Sequence, residues 1–309
     1  MADVSLFLTW SGLALAVFAF AAHVATAALY PRPAHVPAPV AAGPKEGGHP
    51  GRAGAPAFAS ALTAATVAVL GTGFATRWWA VGHAPFGNLY EFTAAFAFGV
   101  ATATLLFSIA VRQVYFALVG LPIVIVSLAV AALFPSDVVP LVPALQNGPL
   151  LALHVSVMLA AYAVLTVSFS AAVVYFIQGE GGRVAWLPSR ESAEDLAHLT
   201  VIVGFPLLLL GIALGAYWAN SAWGRYWGWD PKETSALVTL LALAAYFHAR
   251  SGSGSITGTP LVRSLLPSRL RGGWRPDPMW WLVVTWGLVI FTYFGVNLWI
   301  SGLHSYAGV

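Results

Sequence analysis

Cysteine is absent from all 309 residues. A disulfide framework, thiolate ligation of a metal and thiol exchange by this chain itself are therefore excluded. So is a Cys-x-x-Cys-His attachment motif, which means that no prosthetic group is held through cysteine thioethers of this chain. Charge is nearly as scarce, at 8% of the residues with a formal net charge of +3. The basic residues are scattered over loops rather than gathered on one face, so nucleic acid is not implied. No glycine-rich phosphate loop ending in Lys-Ser/Thr occurs, and directional transport would have to draw its energy from elsewhere.

What remains is apolar: 59% of the chain is hydrophobic, and several runs reach the length needed to cross a bilayer. Long alternating stretches are missing, which argues against an outer-membrane barrel, so the expected class is all-α, a polytopic membrane helical bundle. Helices are predicted at about 4–30, 57–80, 88–111, 114–134, 151–178, 198–219, 234–250 and 279–300, eight spans in one integral membrane domain covering 1–309. The seventh is short and relies on the preceding turn or on local thinning of the bilayer. The first run follows Met-Ala-Asp-Val, with no basic leader, and is too long for a signal peptide, so it is expected to be retained.

The positive-inside bias sets the orientation. With both termini outside, inner loops hold Arg32, Lys45, Arg52, Arg112, Arg183, Arg190, Arg250, Arg263, Arg269, Arg271 and Arg275, leaving only Arg77, Arg225 and Lys232 outside. The inner loops at 31–56 and 251–278 are rich in Pro, Gly, Ala and Ser and read as connectors.

Two of the three outer cations lie in the segment 217–234, which also carries Trp218, Trp223, Trp227 and Trp229, four of the chain's thirteen tryptophans. An aromatic belt at the membrane interface explains one or two rings per helix end. Four rings within a dozen residues suit instead a flat aromatic surface beside Arg225 and Lys232, with Gly224 and Gly228 marking a shaped loop rather than a helix end. A broad, planar, anionic ligand such as a porphyrin with propionates fits that description. Asp230-Pro-Lys-Glu233 reads as an N-cap, a proline at the first helical position and a capping-box carboxylate, so Asp230 first of all starts a helix and fixes the segment against the bundle.

Eight histidines are present. His154 opens the fifth predicted helix and His304 follows the eighth, both on the side of the tryptophan segment. Two imidazoles flanking an aromatic platform are what six-coordinate iron in a macrocycle demands, although amphipathic imidazole also sits comfortably at an interface without any ligand. His248 lies near the inner end of the seventh helix, where an ionisable group within a span marks a functional site open to the inner leaflet. His23 in the first helix either partners it or hydrogen-bonds a neighbouring helix. His35, His49 and His198 are expected in or beside inner loops, solvated. His83 belongs to an outer loop, Gly82-His-Ala-Pro-Phe-Gly-Asn-Leu-Tyr-Glu-Phe92, in which Asn88 and Glu91 form a helix start.

Trp223-Gly-Arg-Tyr-Trp-Gly-Trp-Asp-Pro-Lys-Glu-Thr234 resembles the tryptophan-rich WWD signature of haem-handling membrane proteins, and Gly82 to Phe92 resembles a Pro-x-x-Asn-Leu-Tyr-Glu motif of the CcsA/ResC family. That family serves system II cytochrome c biogenesis. The resemblance implies that His154 and His304 ligate haem at the WWD surface and that His248 belongs to an inner haem site whose second ligand comes from a CcsB/ResB partner. It implies haem b as a non-covalent, transported substrate, apocytochrome c as the acceptor, and residence in the inner (cytoplasmic) membrane. Haem lyase (cytochrome c synthase) activity is expected only in complex with CcsB/ResB. The loop at 251–278 looks longer than the family's connector, and His83 receives no role.

Three other readings compete. A haem delivery protein of the CcmC or CcmF type is disfavoured by length, since the former have fewer spans and the latter are much longer. A non-haem solute transporter with an aromatic gate needs carboxylates inside its spans, and here the only acids in question, Glu91 and Glu233, stand at helix starts. A purely structural subunit, with the tryptophans as a belt, is the third reading.

Overall fold

The computed structural model describes residues 1–29, 50–110, 116–138, 146, 148–184, 187–251, 277–300 and 302–303. Every regular element among them is helical: α1 (Ala2–Leu29), α2 (Pro50–Val81), α3 (Leu89–Ala110), α4 (Ala117–Ala131), α5 (Gly148–Gln178), α6 (Arg190–Trp223), α7 (Pro231–Arg250) and α8 (Pro278–Trp299). The eight runs read from the sequence thus all fold as helices, and the chain is a polytopic helical bundle. Six of them, α1, α2, α3, α5, α6 and α8, are long and apolar enough to cross a membrane. The fourth differs from its predicted extent, because its 15 residues rise only about 22 Å against a hydrocarbon core of about 30 Å. The seventh carries Lys232 and Glu233 at one end and His248 and Arg250 at the other, which removes it from the strongly apolar set.

Helix α2 begins at Pro50, so residues 50–56, expected in a loop, are helical. The rest of that loop, including His35 and His49, and residues 252–276 of the other connector lie outside the described residues.

With lipid on the outside, close packing has to come from shape rather than from exclusion of water. Small residues supply it where helices cross. Ala161, Ala171 and Ala172 of α5 and Ala193 and Ala197 of α6 are fully buried, and Gly204, Gly211 and Gly215 of α6 lie against Leu165, Met158 and His154 of α5. Gly99 of α3 lies against α5, where an added Cβ would come within 3.3 Å of Ala163. Buried threonines return their hydroxyls to the carbonyl one turn back, as Thr166 does to Tyr162 at 2.8 Å and Thr239 to Ser235 at 2.8 Å. No polar group is then left facing hydrocarbon on their account.

Contacts between helix ends define two poles. At one, Tyr90 of α3 donates to Thr9 of α1 at 3.1 Å, and Arg77 of α2 pairs with Glu91 of α3 at 2.8 Å. Arg77 also donates to the carbonyl of Ser136 beyond α4 at 2.7 Å. This buried guanidinium, an exception to the positive-inside count, is neutralised by protein. At the other pole, Tyr175 of α5 donates to Asp277 ahead of α8 at 2.8 Å, Arg190 of α6 donates to Tyr175, and Arg250 of α7 pairs with Glu194 of α6. The first pole also carries the tryptophan segment.

Candidate functional site

Helix α6 ends where Gly224 turns left-handed, at φ +72°, and its N–H closes on the Asn220 carbonyl at 2.9 Å. Six residues later Asp230 caps helix α7 through the expected capping box. Asp230 accepts from the Lys232 N–H at 3.0 Å, and Glu233 accepts from the N–H groups of Asp230 at 3.1 Å and Gly228 at 2.8 Å. Those carboxylate bonds bracket Trp229, which is held at φ +56°, a conformation few non-glycine residues adopt.

Asp230 does more than cap. Its second oxygen accepts from the N–H of Leu303 at 2.7 Å, and an added Cβ on Gly302 would meet that oxygen at 2.7 Å. The chain beyond α8 is therefore fastened to the start of α7.

The four tryptophans form two edge-to-face pairs rather than one flat surface. Trp218 is buried and meets Trp223 at 4.7 Å with a 72° interplanar angle, while Trp227 meets the largely exposed Trp229 at 5.8 Å and 88°. Edge-to-face contact sets the positive rim of one ring on the negative face of the next. Flatness, expected from the sequence, is lost to that preference.

Below the pairs lies a cavity of about 1120 Å³, counting its open mouth, bounded by α3, α5, α6, α7 and α8. Trp218, Trp227, His154 and Lys232 line it, together with Met158, Tyr162, Tyr293 and a mainly apolar wall. Trp223, Arg225 and Trp229 do not. Arg225 is exposed, its guanidinium lying over Gly228, where an added Cβ would come within 2.8 Å of Nε. Among the described residues Lys232 is thus the cation that faces the cavity; it precedes the apolar part of α7, and burial pulls its ammonium down to about 8 against the opposing pull of Asp230.

His154 is held by α6. Its Nδ1 lies 2.9 Å from the Gly211 carbonyl, its ring runs parallel to Trp218 (7° between planes, centroids 6.1 Å apart), and an added Cβ on Gly215 would come within 2.5 Å of Cε1. A carbonyl only accepts, so the neutral ring carries its proton on Nδ1 and its lone pair on Nε2, the arrangement of a metal-ligating imidazole.

The other histidines sort differently. His304 lies outside the described residues, although its chain neighbour Leu303 is the residue bound to Asp230. His248 is exposed near the far end of α7, roughly 24 Å along the helix from Lys232. Buried His23 lies 3.1 Å from the Thr63 hydroxyl of α2, in line with an interhelical hydrogen bond. His198, expected to be solvated, is half-buried on α6, with Nδ1 3.3 Å from the Tyr246 hydroxyl and an edge-on contact to Phe247. Packing of α6 on α7 captures it there. His83 folds onto its own loop, Nδ1 being 2.9 Å from the Ala84 carbonyl.

Several residues of this site escape a reading by residue type. The Gly211 carbonyl, Gly215, Met158 and Tyr162 had a faint signal in the spacing of Gly211 and Gly215 on one helix and of His154, Met158 and Tyr162 on another. Thr292 and Tyr293 reach the cavity through a π-helical turn at Phe291–Gly295, which no sequence pattern announced. Such turns recur at functional sites because they re-aim side chains within a helix.

Residues 86–266 match the family model described as Cytochrome C assembly protein. That stretch carries His154, the whole tryptophan segment and His248. The chain belongs to the cytochrome c assembly protein family. The cytochrome c biogenesis protein CcsA of Synechococcus sp. (strain CC9605) is 34% identical over 267 residues, covering 74% of this chain and 80% of the relative. CcsA of Prochlorococcus marinus (strain MIT 9303) is 33% identical over 288 residues, covering 81% and 84%. CcsA of Parasynechococcus marenigrum (strain WH8102) is 36% identical over 267 residues, covering 74% and 80%. The branch is that of CcsA, and the function is cytochrome c biogenesis.

Proposed function

We propose that the cavity at the tryptophan pole holds haem b as a transported substrate and presents it for attachment to the Cys-x-x-Cys-His motif of apocytochrome c. The observation that carries this reading is His154, whose tautomer and plane are set by α6 at the edge of an apolar, tryptophan-lined cavity. An imidazole donor, aromatic and aliphatic walls and one cation suit an amphipathic macrocycle with iron at its centre and carboxylates at its rim. Nε2 of His154 serves as one axial ligand. His304 serves as the other, and the bond from Leu303 to Asp230 supports this by tethering the residue next to it at the same segment.

Lys232 neutralises a propionate, while Trp218 and Trp227 confine the ring. Arg225, exposed at the rim, meets the acceptor or a second propionate. Attachment then needs little from the protein beyond position. Each cysteine S–H adds across a vinyl C=C, forming one S–C bond and one C–H bond with no leaving group, and the incoming histidine replaces one carrier imidazole. Trp223 and Trp229 brace the lining rings from behind, and Asp230 fixes both chain segments.

In the same reading the tryptophan pole faces the extracytoplasmic side of the inner membrane, with both termini there, and His248 marks where haem enters from the opposite pole. A CcsB/ResB subunit supplies the second ligand at that entry, and synthase activity belongs to the complex. A carboxylate-coupled transporter is disfavoured, since Glu91 is spent on Arg77 and Glu233 on the capping box.

Separate His154→Gly and His304→Gly variants, expressed with the partner subunit, test the proposal. Each is expected to lose mature c-type cytochromes and to regain them when imidazole is added. Full maturation in both variants without imidazole contradicts it.

A further inference from the structure

Helices α5 and α6 meet through a groove whose shape is set by two glycines one turn apart. Gly211 faces Met158, where an added Cβ would come within 2.5 Å of Sδ, and Gly215 faces His154 at 2.5 Å from Cε1, 2.9 Å from Nδ1 and 3.3 Å from Nε2. Met158 stands one turn below His154 on α5, so the pairs run in register along the two helices. A thioether yields to a methyl group by rotating. The imidazole has no such freedom, because Nδ1 is tied to the Gly211 carbonyl at 2.9 Å and its face lies parallel to Trp218.

We infer that Gly215 and the Gly211 carbonyl are positioning groups for His154, so that α6, rather than the helix bearing the histidine, decides where Nε2 points. This rests on the reading of His154 as an axial ligand. Gly215 sets how closely the ring approaches α6, and the Gly211 carbonyl sets which nitrogen keeps its lone pair. A methyl group at position 215 pushes the ring about 1 Å away to restore ordinary contact. That shift stretches the bond to Gly211 and tilts the ligand. Loss of an outer partner of a metal-bound imidazole typically weakens binding about 10- to 100-fold.

The test uses the full chain in detergent with haemin and a reductant. Gly215→Ala is expected to bind haemin about 10- to 100-fold more weakly than wild type and to lose part of its low-spin absorption. Gly204→Ala overpacks the same helix pair at a distance, since its Cβ would meet Leu165 at 2.9 Å. It is expected to lower thermal stability and keep the wild-type spectrum. In a His154→Gly background supplied with imidazole, Gly215→Ala is expected to have no further effect, because the methyl group has no tethered ring to displace.

A wild-type spectrum and affinity in Gly215→Ala overturn the inference. So does an equal loss in Gly204→Ala, or an undiminished effect of Gly215→Ala in the His154→Gly background, since either assigns the effect to helix packing. An unchanged spectrum in His154→Gly alone removes the ligand reading itself and this inference with it.

Discussion

His154 and His248 stand at opposite poles of one bundle and differ in nearly every physical respect. The first has a backbone acceptor, a parallel indole, a glycine that admits its ring and a cavity in front of it. The second is exposed near a helix end and has no side-chain hydrogen bond among the described residues. The poles differ in the same sense. At the tryptophan pole His154 is fixed by a backbone carbonyl and lines a cavity, whereas Arg190, Tyr175 and Asp277, and Arg250 and Glu194, bind one another at the far pole. A group held from behind and lining a cavity is built to receive something. Groups that satisfy each other are built to hold helices together. His248 belongs to neither kind.

The two poles differ most in their ion pairs. Glu91→Gln leaves Arg77 buried without a counter-charge and is expected to destabilise the protein by about 3–5 kcal/mol, read as a fall in thermal midpoint. Arg250→Ala removes a partly exposed pair at the other pole and is expected to cost under about 1 kcal/mol. Equal effects would erase the distinction between a buried frame at the tryptophan pole and a solvated one opposite.

Asp230→Ala comes next, at about 2–3 kcal/mol, because it removes a helix cap and the acceptor of the Leu303 N–H together. Haemin retention should fall with it. Asp230→Asn, which preserves only part of that acceptor set, should fall between the variant and wild type. Lys232→Met is expected to weaken haemin binding about tenfold, the scale of one charge-assisted hydrogen bond, while leaving haemin dimethyl ester unaffected. Discrimination that survives the substitution would mean that the cavity's cation does not meet the propionates. Smallest of all, His248→Ala is expected to change thermal stability by less than about 0.5 kcal/mol and to leave added haemin bound at the tryptophan pole.

Helices were legible because apolar runs of 20 or so residues leave a bilayer-embedded chain no other way to satisfy its backbone. Their ends followed where capping chemistry is local, as at Asp230-Pro-Lys-Glu233, and slipped where it is not. Pro56 looked like part of a connector, yet α2 already runs through it. His154 was legible as chemistry, being an imidazole on the tryptophan side, but what holds it was not. A backbone carbonyl has no letter in a sequence, and Gly211 and Gly215 spell only close packing. Four tryptophans in a row of letters suggested one plane, whereas aromatic quadrupoles in space chose edges and faces. His198 misled for a related reason: its nearness to a loop in sequence said nothing of Tyr246, which only the packing of α6 on α7 brings to it.

The most direct measurement is a density map of the haem-loaded chain. A macrocycle is expected in the cavity beside Trp218 and Trp227, with its iron within bonding distance of His154 Nε2 and its open edge toward the mouth. Iron bound elsewhere, with His154 still parallel to Trp218 and the cavity filled by lipid or solvent, would contradict it.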